Sequence, residues 1–340
     1  MKTAPYILLS TFILLSIQAA EKETLSKPIF TVKGKPRLAL TRDKQRLIIA
    51  TGGLLSIRSI YTRETIRELQ QGFAITDVQV NSEVDTLYCC RKTRNSFDCI
   101  DIQTQQILHS YALKQPPYAD PEPFAASITD NQAFIGAGNG ALFQIDVRSN
   151  NAQVHSDPHW PITAVAYAAA GDKVLCGYSS PDTDDCMGSI NAFDCRQQKF
   201  IELHRSHSRT LPLRINSVVI APDGSYGFSS GEDVVRRWQL NDTPQEQQLT
   251  FEPGYKLLGQ RKFYYATKLA LANHTLCIAD HMGNLSWRHA DTERLLRSTI
   301  LSFPTDNIVV SSLVLSADAT TTALATSDGN IFGPQPGVLE

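Results

Sequence analysis

Three regularities in the 340-residue chain predict an all-β fold of seven four-stranded blades in a ring, a β-propeller. A residue that tolerates positive φ recurs seven times at intervals of 42 to 50 residues, each time with an apolar residue two positions on. Short apolar strands separated by polar turns fill each interval in a fixed order. No helical period of comparable length interrupts them.

The turn markers are Gly53, Asn95, Gly140, Gly188, Asp233, Gly283 and Gly329, and the apolar positions that follow are Leu55, Phe97, Leu142, Ile190, Val235, Leu285 and Ile331. An inner strand precedes each marker, as in "ITDVQV", "ITAVAYA", "INSVVIA" and "VSSLVLS". A polar turn then leads to a second strand such as "RLIIATG" or "KVLCGYS", the marker opens the third, and a more polar outer strand such as "ILHSYAL" ends the unit. The predicted blades span residues 35–72, 73–113, 123–157, 161–205, 214–250, 263–300 and 307–335.

Before the first blade, "MKTAPYILLSTFILLSIQAAEKE" has one lysine, an apolar run and then charge, the pattern of a secretory signal over residues 1–20 with Ala19 and Ala20 at its end. The rival reading is an uncleaved anchor. The run is shorter than a span needs and carries Ser10, Thr11, Ser16 and Gln18, so the expectation is a single propeller domain over 21–340, exported to the periplasm or secreted, with no stable membrane span after cleavage. The seventh unit runs out after its third strand at "GPQPGVLE", because two prolines and two glycines cannot continue a central strand. Residues 28–34, "PIFTVKG" after Lys27, hold a strand without its own unit, so they are expected to complete blade 7 and close the ring.

With these parts in view the chain resembles the WD-repeat and related propeller families across residues 29 to 335. The likeness is greatest at 215–240, where "IAPDG" and "VVRRWQL" stand for the SPDG turn and the WD-ended strand. Elsewhere the pair is replaced, by Ile100-Asp101, Ile145-Asp146 and Phe193-Asp194, and Trp287-Arg288 is shifted by about one residue. The resemblance implies structural roles for His159, His207, Ser230, Trp238 and Trp287, with Glu232 at the aspartate position of the hydrogen-bonded tetrad and Asp233 beside it.

The bulk chemistry narrows the function. A net charge of −2 with 19% charged residues gives no basic field for nucleic acid. Seven cysteines in two local groups, Cys89, Cys90 and Cys99, then Cys176, Cys186 and Cys195, with Cys277 apart, agree with an oxidising compartment and suggest local disulfides. No GxSxG, HExxH, GxxxxGK[ST] or GxGxxG motif is present, and no cofactor is expected.

Three insertions exceed what a blade needs: 114–124 with Tyr118, 179–188 with Asp182, Asp184 and Asp185, and 252–268 with Tyr255, Lys256, Arg261, Phe263, Tyr264 and Tyr265. Aromatic residues mixed with lysine and arginine on a rim are what interfaces use as anchors, so the expected function is a non-catalytic protein-binding scaffold. Against that stands a bland reading in which the tyrosines cap a crevice between blades. A periplasmic enzyme, either a metal-dependent hydrolase or lactonase or a cofactor-using dehydrogenase, is the alternative, with His155, His159, Asp182, Asp184 and Asp185 as candidate ligands. A third reading is a cytosolic adaptor that keeps Met1.

Overall fold

A computed structural model describes residues 28–70, 74–80, 86–91, 96–101, 104, 106–113, 123–129, 131–149, 151–156, 160–179, 188–205, 215–231, 235–240, 245–249, 266–280, 283–301 and 308–333. The described residues form 28 strands in seven four-stranded antiparallel sheets. Strand β1 is Phe30–Thr31. Blade 1 holds β2–β5 (Arg37–Leu40, Arg46–Thr51, Leu54–Ser59, Thr65–Gln70), and blade 2 holds β6–β9 (Ile75–Val80, Thr86–Arg91, Ser96–Asp101, Ile107–Ala112). Blade 3 holds β10–β13 (Pro123–Ile128, Gln132–Ala137, Ala141–Asp146, Asn151–Ser156), and blade 4 holds β14–β17 (Ile162–Ala168, Lys173–Ser179, Gly188–Asp194, Lys199–Arg205). Blade 5 is β18–β21 (Ser217–Ile220, Tyr226–Ser230, Val235–Gln239, Gln245–Leu249), and blade 6 is β22–β25 (Ala266–Ala272, Thr275–Asp280, Asn284–His289, Leu295–Ile300). Blade 7 takes β26–β28 (Val310–Leu315, Thr322–Thr326, Asn330–Phe332) from the C-terminal end and β1 as its outer strand.

That last sheet closes the ring as the sequence predicts. Phe30 pairs with Ile331 and Thr31 with Asn330, and the register is extended by Ile29 N–H to Ile331 O at 2.8 Å and Val32 N–H to Gly329 O at 2.9 Å. One apolar cluster joins Ile29, Phe30 and Ile331 of blade 7 to Leu38, Leu47 and Ile49 of blade 1. Each of the other six junctions between consecutive blades has its own cluster. The core is therefore not central: each blade buries both faces, and apolar side chains fill the seams between sheets.

The seams are tight where the blades converge on the axis. The residue on each second strand that pairs with the near-axis position of the first is small in every blade: Ala50, Cys90, Gly136, Gly177, Ser230, Ala279 and Ala325. At the two glycines a Cβ would come within 2.4 Å of Ile162 Cγ2 and of Ile215 Cγ2, both from the following blade. Wedge-shaped stacking leaves no room there for a larger side chain.

The turn markers are met in part. Positive φ occurs at Gly140, Gly283 and Gly329 as expected, but in blade 1 it falls on Gly52 rather than Gly53, because Gly52 is the first of the two residues linking β3 to β4. Gly188 is the first residue of β16 and has no positive φ. No described helix is long and apolar enough to cross a membrane.

Candidate functional site: charged residues at the channel mouth

The seven inner strands β2, β6, β10, β14, β18, β22 and β26 line the axis, and their pairing to the second strands defines one equivalent position per blade. Its occupants are Arg37, Asp77, Ala125, Ala164, Ser217, Lys268 and Ser312. In blades 2, 3, 4, 6 and 7 a β-bulge immediately precedes it, at Thr76, Phe124, Thr163, Thr267 and Ser311. A bulge leaves one residue outside the ladder, which frees its carbonyl for another partner.

The equivalent positions use those groups to knit the ring. Asp77 Oδ2 accepts from Ala126 N–H at 2.8 Å, Ser217 Oγ from Leu269 N–H at 3.2 Å and Ser312 Oγ from Leu38 N–H at 3.1 Å. In each case the donor lies one residue past the equivalent position in the next blade. The cations reach for carbonyls just before that position. Arg37 Nε donates to Thr76 O at 3.0 Å and its Nη1 to Ser311 O at 2.6 Å, so one guanidinium bridges blades 7 and 2 from blade 1. Lys268 Nζ donates to Asn216 O at 2.9 Å in blade 5.

Three ionisable side chains from blades 1, 2 and 6 thus share one end of the channel, each partly accessible. Withdrawal from bulk water, with Arg37 adding repulsion and Asp77 attraction, lowers the Lys268 ammonium to about 8. Burial raises the Asp77 carboxyl above the usual carboxylate range, although the Ala126 and Val78 N–H groups, Arg37 and Lys268 all pull the other way. Chain direction places this end. In an antiparallel blade entered from one face, the connections between second and third strands and from each outer strand to the next inner strand emerge on that entry face. The strand ends flanking all three long insertions, at β9–β10, β15–β16 and β21–β22, lie there, as do Arg37, Asp77, Lys268 and Ser312 near the starts of their strands.

Most residues singled out in the sequence lie outside the described residues: Tyr118, His159, Asp182, Asp184, Asp185, His207, Asp233, Tyr255, Lys256, Arg261, Phe263, Tyr264 and Tyr265, and with them the signal segment and Cys186. His155 is described, on the outer strand of blade 3 and away from the axis. Its Nε2 is 3.1 Å from Gln144 Oε1, its ring packs 4.4 Å from that of Phe193 in blade 4, and burial lowers its pKa. Among the described residues no group of three or more His, Cys, Asp or Glu is placed to hold a metal ion.

The tetrad expectation needs correction. Trp238 Nε1 donates to Ser229 Oγ, not to Ser230, because successive residues of a strand face opposite sides and Trp238 pairs with Gly227, two residues from Ser229. Ser230 instead takes the small-residue position against the next blade, and its Oγ has no partner among the described residues. The described histidine ring nearest this indole is His204, at 6.0 Å between centroids. Trp287 Nε1 donates across the seam to Thr322 Oγ1 of blade 7 at 3.1 Å, with the Arg297 guanidinium 4.0 Å above its ring.

The expected local disulfides are absent among the described residues. No disulfide joins two described cysteines, and Cys89, Cys90, Cys99, Cys195 and Cys277 are free thiols. In the first hairpin the register sets Cys89 opposite Asp98, Cys90 opposite Phe97 and Cys99 opposite Tyr88, so no two cysteines face each other.

Sequence comparison finds no matching family model and no similar curated protein. Among solved structures, the chain is similar in fold to Hydrazine Synthase of Kuenenia stuttgartiensis, with a TM-score of 0.71 at 15% identity over 91% of this chain and 98% of that one. At that identity the likeness supports the propeller and nothing about chemistry.

Proposed function

We propose that the chain is an exported, non-catalytic propeller that holds another protein through the insertions on its entry face. The observation that carries this reading is topological: three insertions far apart in sequence are flanked by strand ends on one face of a closed ring. A ring with an apolar seam at every junction is a stiff support, and binding residues commonly ride on loops held by such a support. Tyr118, Tyr255, Phe263, Tyr264 and Tyr265 supply aromatic anchors, with Lys256 and Arg261 among them. Export rests on the signal-like residues 1–20, and mass analysis of the mature N-terminus tests it: an intact Met1 overturns it.

The test of the scaffold is affinity capture of the tagged mature chain from its native envelope after mild cross-linking. It is run beside a variant with Tyr255, Phe263, Tyr264 and Tyr265 replaced by serine. A stoichiometric protein captured by the parent and lost in the variant is expected. Equal capture by both, or none by either, overturns the reading. The enzyme alternative draws on the channel mouth, where a lysine with a depressed pKa and a partly accessible aspartate with a raised one lie at the same end of the axis. Turnover that survives the loop variant and is lost on Lys268→Met would favour it.

A further inference from the structure

We infer that the entry-face mouth of the channel is a binding site for a small soluble oxyanion, a carboxylate or a phosphate group, held between Lys268, Ser312 and Arg37 of three successive blades. The case begins with unused donors. Lys268 has one hydrogen bond among the described residues, to Asn216 O, which leaves two of its three N–H groups for a ligand. Arg37 commits Nε and Nη1 to Thr76 O and Ser311 O, and its other terminal nitrogen has no partner among the described residues. Between them, Ser312 Oγ accepts from Leu38 N–H, and its own proton has no acceptor among the described residues.

The nearby carboxylate does not satisfy these donors. Each oxygen of Asp77 accepts a backbone N–H, Oδ1 from Val78 at 2.9 Å and Oδ2 from Ala126 at 2.8 Å, and no hydrogen bond reaches it from Arg37 or Lys268 among the described residues. No ion pair joins it to Arg37 or Lys268. Two cations with a single, otherwise engaged anion leave one positive charge in a partly desolvated cavity, where electrostatic interactions are stronger than in water. The two cations also repel each other. An oxyanion between them relieves that repulsion and accepts the spare N–H and O–H groups together. Room for it comes from blades 3 and 4, whose equivalent positions carry only Ala125 and Ala164. The cations are fixed by carbonyls of neighbouring blades before a ligand arrives, so little ordering is required on binding.

Calorimetric titration of the full chain with inorganic phosphate and, separately, with succinate at pH 7 and constant ionic strength tests the site. One-to-one saturable binding of at least one anion is expected, weakened at least about tenfold in Lys268→Met through loss of a charged hydrogen-bonding partner. Saturation by phosphate alone assigns a phosphate ligand, and saturation by succinate alone assigns a carboxylate. Absence of saturable binding for both, or an unchanged affinity in Lys268→Met, overturns the proposal. Should that variant not fold, the parent chain carries the test through pH. Arg37 and Asp77 are the charged groups acting on Lys268, the flanking strands β18 and β26 carry none, and Asp280 on β23 is held by Asn284. Affinity is expected to fall at least about fivefold between pH 7 and pH 9.5 as the ammonium loses its proton, and a flat profile rejects the site. The result does not depend on capture of a protein partner, so the scaffold reading and this site fail separately.

Discussion

Trp238 and Ser229 are joined by an indole N–H to hydroxyl bond of 2.9 Å between two groups that are each 1% exposed. The bond lies in the seam between blades 4 and 5, where Trp238 packs with Leu175, Ile190 and Val218. Ser229→Ala leaves the indole N–H buried without this acceptor and is expected to cost about 1–3 kcal/mol. Ser230→Ala is expected to be neutral or stabilising, since the hydroxyl it removes is buried and without a partner among the described residues. Urea denaturation of the two variants checks the contrast. Equal losses of stability would mean that the two serines are not distinguished by the face they occupy.

The same pair shows what the sequence discloses and what it hides. Turn residues and apolar alternation are local, so "INSVVIAPDGSYGFSSG" reads as two strands of a repeated unit without any knowledge of the neighbours. Which of two adjacent serines meets Trp238 depends on a cross-strand register that the repeat pattern left one residue out. The small-residue position has a sequence signal of its own, since Ala50, Cys90, Gly136, Gly177, Ser230, Ala279 and Ala325 fall near the end of every second strand. Arg37, Asp77 and Lys268 were hidden for another reason. They differ in chemical type and are far apart in the chain, and only ring closure brings blades 6, 7, 1 and 2 to the same mouth. The insertions are conspicuous in sequence for the opposite reason, because they break the period.

Ring closure has a specific weak point at Gly329. Its φ is +91°, and a Cβ there would stand 1.8 Å from Val32 O, on the backbone of the closing segment. Gly329→Ala therefore forces residues 29–32 away from β28. Hydrogen exchange is expected to show lost protection of the Ile29 and Val32 amides, with blades 3 and 4 unaffected. Gly52→Ala is the control. Gly52 also has positive φ, +54°, yet nothing lies within 4 Å of an added Cβ, so only the backbone penalty of about 1–2 kcal/mol applies. Retained protection at Ile29 and Val32 in Gly329→Ala would mean that the latch does not depend on this glycine.

Blade 2 contains a buried ion pair between Arg91 and Asp98, which are 3% and 0% exposed at their side chains. Ser110 Oγ donates to the other carboxylate oxygen at 2.7 Å. Removing one charge strands its partner in the sheet, and Asp98→Ala is expected to cost about 3–5 kcal/mol. The paired replacement Arg91→Met with Asp98→Leu removes both charges and is expected to cost less than Asp98→Ala alone. Denaturation of the parent, of Arg91→Met, of Asp98→Leu and of the double variant gives the coupling. A double variant as unstable as the sum of its single changes would show that the two groups act independently.

Alkaline pH should act on the fold in two directions. Lys268 is lowered to about 8 in the folded chain from an ordinary value of 10.5, so between those values the unfolded chain holds the extra proton and stability rises with pH. Buried acids act the other way. Burial raises Cys89 to about 11 and Cys195 to about 12 from 9.0, and Tyr111, Tyr167 and Tyr226 to about 12 from 10.0. Their contribution is complete below the unfolded values and is lost as pH climbs through the folded ones. Stability is therefore expected to gain from Lys268 first, from about pH 8, and to decline once the thiols and then the phenols are drawn to ionise. Lys268→Met removes the early gain and leaves the later decline, so urea midpoints from pH 7 to 11 separate the two. If the parent and the variant change in parallel between pH 8 and 9, Lys268 keeps an ordinary pKa and is not withdrawn from water at the channel mouth.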